Sequence, residues 1–96
     1  MTGILTRVPK LPRLPGEWVP VTVEGQRDAT NIMLVCPRCH RRIHVEGAFH
    51  NLLATIKHVI VFDADGTVTI TPTVTCPYTS CHWAAEITNS QYTERS

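Results

Sequence analysis

The residues best equipped for chemistry are four cysteines in two short loops, Cys36-Pro37-Arg38-Cys39-His40 and Cys76-Pro77-Tyr78-Thr79-Ser80-Cys81-His82. A β-type run precedes and follows each loop. This is how a metal knuckle is built: a strand delivers one thiolate, a tight turn aims backbone N–H groups at the sulfur, and the second thiolate returns beside the first. Proline after the leading cysteine presets the first dihedral of the turn. Loops of C-x2-C and C-x4-C spacing, separated by 36 residues, can close a tetrahedron of Cys36, Cys39, Cys76 and Cys81 around one structural zinc ion. Four protein ligands leave no position for substrate water. The expectation is an ion that supports the fold, in a protein that is not an enzyme.

Other uses of these residues fit less well. Cys-x-x-Cys-His is also a c-type haem attachment motif, but that chemistry belongs mostly to exported proteins. Pro9, Pro12 and Pro15 break the apolar residues of the first twenty positions, so no signal-peptide core is expected there. A reducing compartment in turn favours metal ligation over disulfides. Redox activity needs a cysteine at a helix N-terminus, whereas Arg41-Arg42-Ile43-His44-Val45 reads as a strand. His44-Val45-Glu46 matches half of a zinc-deaminase signature, but no P-C-x-x-C follows. His40 and His82, each directly after a knuckle, are the candidates to replace a cysteine. His44, His50 and His58 read as surface or strand residues.

The elements that must position the loops are mostly strands. Val19, Val21 and Val23 alternate after Trp18, with Pro20 restricting that run to an edge or a strand start. Asn31–Val35 leads into Cys36, and Arg41–Val45 leaves Cys39. Phe49, Leu52, Leu53, Ile56 and Ile60 have helical spacing, so residues 48–57 are either one short helix or part of a longer β excursion. His58–Phe62 and Thr67–Thr71 flank the turn Asp63-Ala64-Asp65-Gly66, which lacks the remainder of a calcium loop. Thr73–Thr75 enters the second knuckle and Trp83–Ile87 leaves it. The fold class expected is a small β-rich, zinc-ribbon-like domain, or α+β if the helix forms.

Residues 1–17 read as an extended Pro-rich arm, and residues 18–96 as the zinc-stabilised β domain. Pro9, Pro12 and Pro15 recur every third residue, as do Arg7, Lys10 and Arg13, and in polyproline II those cations would share one edge. A chain of 96 residues buries limited apolar surface, which makes a metal clamp valuable. A net charge of +1 provides little overall field towards nucleic acid, and no segment is apolar enough to span a membrane. Residues 1–48 carry seven Lys/Arg against four Asp/Glu, and residues 49–96 carry two against four.

Leu34–Cys39, then Phe62–Val74 with Gly66-Thr67-Val68-Thr69-Ile70-Thr71-Pro72, then Cys76 to Cys81-His82-Trp83, resembles small uncharacterised bacteriophage proteins. In these a cysteine loop is followed by a G-T-x-T-x-x-P-S strand, a second cysteine and a His-Trp or Trp-His pair. The chain departs from that pattern at Thr73 and in its cysteine spacing. The resemblance implies a phage origin and a zinc-type fold, with the host cytoplasm and the virion as locations.

Two functions compete on these readings. The first is a structural or interaction protein docking onto a larger assembly, such as a capsid or decoration component, with Arg7, Lys10, Arg13 and Trp18 as arm contacts. The second is a nucleic-acid-binding zinc ribbon, in which Arg38, Arg41 and Arg42 contact phosphates. Three arginines without an interleaved aromatic make a sparse surface for that purpose.

Overall fold

A computed structural model describes residues 2–22, 24–25, 27–47 and 58–95. Among the described residues nine strands run in chain order: β1 (Thr2–Ile4), β2 (Thr6–Arg7), β3 (Glu17–Val21), β4 (Asn31–Val35), β5 (Arg42–Val45), β6 (Val59–Phe62), β7 (Val68–Thr75), β8 (Ala84–Thr88) and β9 (Gln91–Glu94). They form a five-stranded sheet of order β1-β9-β8-β7-β6 and a four-stranded sheet of order β2-β3-β4-β5. The helix considered for residues 48–57 lies outside the described residues. Among the described residues no helix is long and apolar enough to cross a membrane.

Alternation sets the inward faces. In β5, Ile43 and Val45 are buried while Arg42 and His44 are exposed; in β8, Ala85 and Ile87 are buried while Glu86 and Thr88 are exposed. Trp18, Ile32, Leu34, Ile43 and Val45 from the smaller sheet share one core with Val68, Ile70, Val74, Trp83, Ala85 and Ile87. The apolar runs therefore pack the two sheets against each other, which is the usual way for half-buried sheets to hide their inner faces. In β7 the register shifts between Ile70 and Val74, around Pro72, a residue that cannot donate to a regular ladder. The β8–β9 connection is a tight turn in which Asn89 and Ser90 have φ of 50° and 60°, the positive dihedrals of a two-residue hairpin.

The first seventeen residues differ from the expected arm. β1 pairs antiparallel with β9, and β2 pairs parallel with β3, so the chain passes from one sheet to the other at Leu5. Leu5 is buried, and its N–H donates to the carbonyl of Ser90 at 2.6 Å. The expected boundary at residues 17 and 18 falls inside β3. The physical reason is that backbone donors at Leu5, Thr6 and Val8 find acceptors at Ser90, Gly16 and Trp18, whereas a polyproline II arm would leave them to solvent. Pro20 lies beyond the short pairing with β2, where among the described residues no strand pairs with that edge of β3, in agreement with its missing donor.

Candidate metal centre and its basic rim

Each cysteine pair sits at the end of a hairpin, one from each sheet. The β4–β5 hairpin closes at the first knuckle: the Cys36 N–H donates to the Arg41 carbonyl at 2.8 Å, and the His40 N–H donates to the Cys36 carbonyl at 2.9 Å. His40 takes a φ of 62° to complete this turn. The β7–β8 hairpin closes at the second knuckle, where the Cys76 N–H donates to the Trp83 carbonyl at 2.8 Å and the Cys81 N–H to the Tyr78 carbonyl at 2.9 Å. The N–H groups of Arg38 and Cys39 reach the Cys36 sulfur, that of Tyr78 reaches the Cys76 sulfur, and that of Trp83 reaches the Cys81 sulfur.

The four Sγ atoms all lie within 4.8 Å of one another. Cys36 and Cys81 are 3.7 Å apart, as are Cys39 and Cys76. A disulfide needs sulfurs at about 2.05 Å. A tetrahedral ion with metal–sulfur bonds of about 2.3 Å has edges of about 3.8 Å. The sulfur spacing fits the ion and excludes the disulfide. The expected ligand set is thus brought together, two thiols from each sheet, and a bound ion would join the sheets across the core. His40 and His82 are exposed and lie outside this group.

The electrostatics of the thiols call for a cation. Burial pushes the Cys36 thiol up to about 12, despite the N–H groups of Cys39 and Arg38. Burial also raises Cys76. At Cys81 burial acts in the same direction, but the Trp83 N–H and the thiols of Cys39, Cys76 and Cys36 outweigh it and bring the group down to about 7. Burial therefore opposes ionisation of Cys36 and Cys76, while Cys81 ionises more readily. A divalent ion bound there would supply the compensating charge and would displace the thiol protons.

Around this centre lie the arginines expected to contact a partner. Arg38 is paired with Glu94 of β9, a largely buried carboxylate. Arg41 lies over the ring of Tyr78, 4.8 Å from its centroid. Arg42 donates through Nε to the carbonyl of Pro12 at 3.0 Å, and the Tyr78 hydroxyl donates to the Arg42 carbonyl at 3.3 Å. Of the proposed arm contacts, Trp18 requires correction: it is fully buried and covered by Phe62 and Arg7, so it is a core residue. Arg7 belongs to β2, over Trp18, while Arg13 stands beside Arg41 and Arg42. Arg7 and Arg13 therefore do not share the one edge expected of them.

Sequence reasoning missed Tyr78 and the placement of Arg13 near the knuckle. Tyr78 stands two residues after its leading cysteine, the counterpart of Arg38 in the first loop. That equivalence was the available signal. His44 and His58, expected as surface or strand residues, have structural partners: His44, exposed in β5, has Nε2 3.2 Å from the Asn31 side-chain nitrogen, and His58 Nε2 is 3.3 Å from the Thr73 carbonyl. His50 lies outside the described residues.

The family described as HNH endonuclease matches residues 18–46, less than a third of the chain. The matched segment runs from Trp18 in β3 through β4 and the first knuckle to the residue after β5. It coincides with the main hairpin unit of the smaller sheet and leaves the second knuckle outside. No curated protein and no solved structure matches the chain.

Proposed function

We propose that this chain is a nucleic-acid-binding domain whose two sheets are clamped by one zinc ion on Cys36, Cys39, Cys76 and Cys81. One observation carries the reading. The segment similar to an endonuclease family is the same segment that places Arg38, Arg41 and Arg42 on and beside a metal knuckle. Zinc suits the donor set, because four thiolates at tetrahedral spacing select a soft ion without geometric demands of its own. The ion holds the arginines in place and leaves the nucleic acid to the rim. This reading takes precedence over docking onto a virion or other protein assembly, since the matched family acts on nucleic acid and Trp18, an expected arm contact, is buried.

The test is binding of the zinc-loaded protein to labelled DNA and RNA at two salt concentrations. Affinity should fall steeply between about 50 and 200 mM salt, as arginine–phosphate contacts require. Equal sedimentation with and without nucleic acid would reject the reading. The same samples incubated with magnesium distinguish a binder from a nuclease. Intact strands are expected from a closed tetrathiolate centre, and shortened strands would assign the chain a phosphodiesterase activity at another site.

A further inference from the structure

We infer that the groove between residues 12–16 and the two knuckles seats single-stranded nucleic acid, with Arg13, Arg41 and Arg42 on phosphates and Tyr78 beneath a base. This rests on the nucleic-acid reading above and narrows it to a site and a strand state. The groove has a volume of about 380 Å³ and is lined by Arg13, Val35, His40, Arg41, Arg42 and Tyr78. It draws these residues from three separate parts of the chain. Among the described residues no carboxylate lines it, Glu17 being bound to backbone N–H groups of the 12–16 turn, and none of its three arginines has an ion-pair partner, whereas Arg38 and Arg95 are paired with Glu94 and Glu86. The net charge of +1 therefore conceals a local concentration of positive charge.

The backbone that carries Arg13 is fixed, and Arg41 and Arg42 are positioned through their side chains. Glu17 accepts the N–H groups of Arg13 and Leu14, each at 2.9 Å, and its own N–H donates to the Leu14 carbonyl at 3.0 Å. The Gly16 N–H ties this turn to the Val35 carbonyl at 3.0 Å, immediately before the first knuckle. Arg42 spends one of its five N–H donors on Pro12 and keeps the others for a ligand. Arg41 meets Tyr78 at the ring, a contact that leaves its N–H groups available to phosphate oxygens. Tyr78, oriented by its hydroxyl and 36% exposed, supplies the aromatic surface. An unpaired base can stack on such a surface, whereas the bases of a duplex are stacked on one another. The small volume likewise suits one or two splayed nucleotides.

The test uses fluorescence anisotropy of the zinc-loaded full chain with a labelled oligonucleotide of about ten nucleotides, single-stranded or annealed to its complement. The single strand should bind at least about 5-fold more tightly than the duplex, with a slope of log affinity against log salt of about −2 for three phosphates. Arg13→Gln, on an exposed turn, should reduce that slope by about 0.7 while metal content stays unchanged. Tyr78→Leu should weaken single-strand binding by about 5-fold or more, and Tyr78→Phe, which keeps the ring and loses the hydroxyl contact to the Arg42 carbonyl, should recover most of it. Duplex binding equal to single-strand binding, or wild-type affinity and slope in Arg13→Gln, would overturn the groove assignment while leaving the nucleic-acid reading intact. Binding to neither form would remove both.

Discussion

The first knuckle places its cysteines at positions 36 and 39, and the side chains around it are Arg38, His40 and Arg41; the second places them at 76 and 81 around Pro77, Tyr78, Thr79 and Ser80. Both close a hairpin and both receive backbone N–H groups at sulfur. One rim is cationic and the other uncharged. The longer loop carries Tyr78 across to Arg41 and Arg42, so the uncharged rim supports the charged one. Metal binding constrains the cysteines and the turn backbone. The side chains in and beside the turns remain open to another task, and here Arg41 and Arg42 after the first knuckle supply charge while Tyr78 within the second supplies aromatic surface.

The largest test of this comparison is removal of the metal. If the knuckles contribute equally to the clamp, Cys36→Ser and Cys81→Ser should each abolish the cooperative thermal transition, as should a strong chelator. Apparent binding energies of structural zinc, about 10–16 kcal/mol, match or exceed the whole stability of a domain of this size. Circular dichroism melts would show it, and a chain that melts unchanged after chelation would disprove the clamp.

Protonation differs within the ligand group, with one raised thiol in each loop and the lowered one in the second. Cys36, at about 12, and the raised Cys76 hold their protons at neutral pH, so an incoming ion must displace them. Cys81, at about 7, changes state near neutrality and adds a further proton to be displaced as the pH falls through that value. Metal affinity should therefore weaken on acidification by about 100-fold per pH unit or more, for two or more protons released. Titration with zinc in weakly buffered solution counts those protons directly, and release of none would contradict the burial of Cys36.

Smaller changes probe the rims. Glu94→Gln frees Arg38 and should cost about 1 kcal/mol or less in stability, since the arginine is half exposed. It should strengthen nucleic-acid binding, read by the same anisotropy measurement. The smallest effect is expected from His40→Gly. A left-handed backbone costs a side-chain-bearing residue about 1–2 kcal/mol, and greater freedom in the unfolded chain offsets part of the gain. Melting should shift upward slightly, and a large loss would show that the imidazole has a role in the knuckle.

Much of this was legible in the residues. The β4, β5, β6 and β8 strands follow alternating or continuous apolar runs, and the cysteine spacing led directly to the ligand group. β9 escaped notice because Gln91-Tyr92-Thr93-Glu94 has little apolar character and its turn uses Asn89-Ser90 without glycine. The amino-terminal strands were obscured by proline spacing, a local signal, while their hydrogen-bond partners lie far away in the chain at Ser90 and Gly16. The meeting of Arg13, Arg42 and Tyr78 depends on the packing of two hairpins, and no local pattern announces it.

The positions of Trp18 and Trp83 have a practical consequence. One indole belongs to the smaller sheet, stacked near Phe62, and the other follows Cys81, edge-on to Tyr92. Both are shielded from water. Ultraviolet emission from the unlabelled chain should thus report on each half, and replacing either indole with phenylalanine would reveal whether the halves come apart together or in succession.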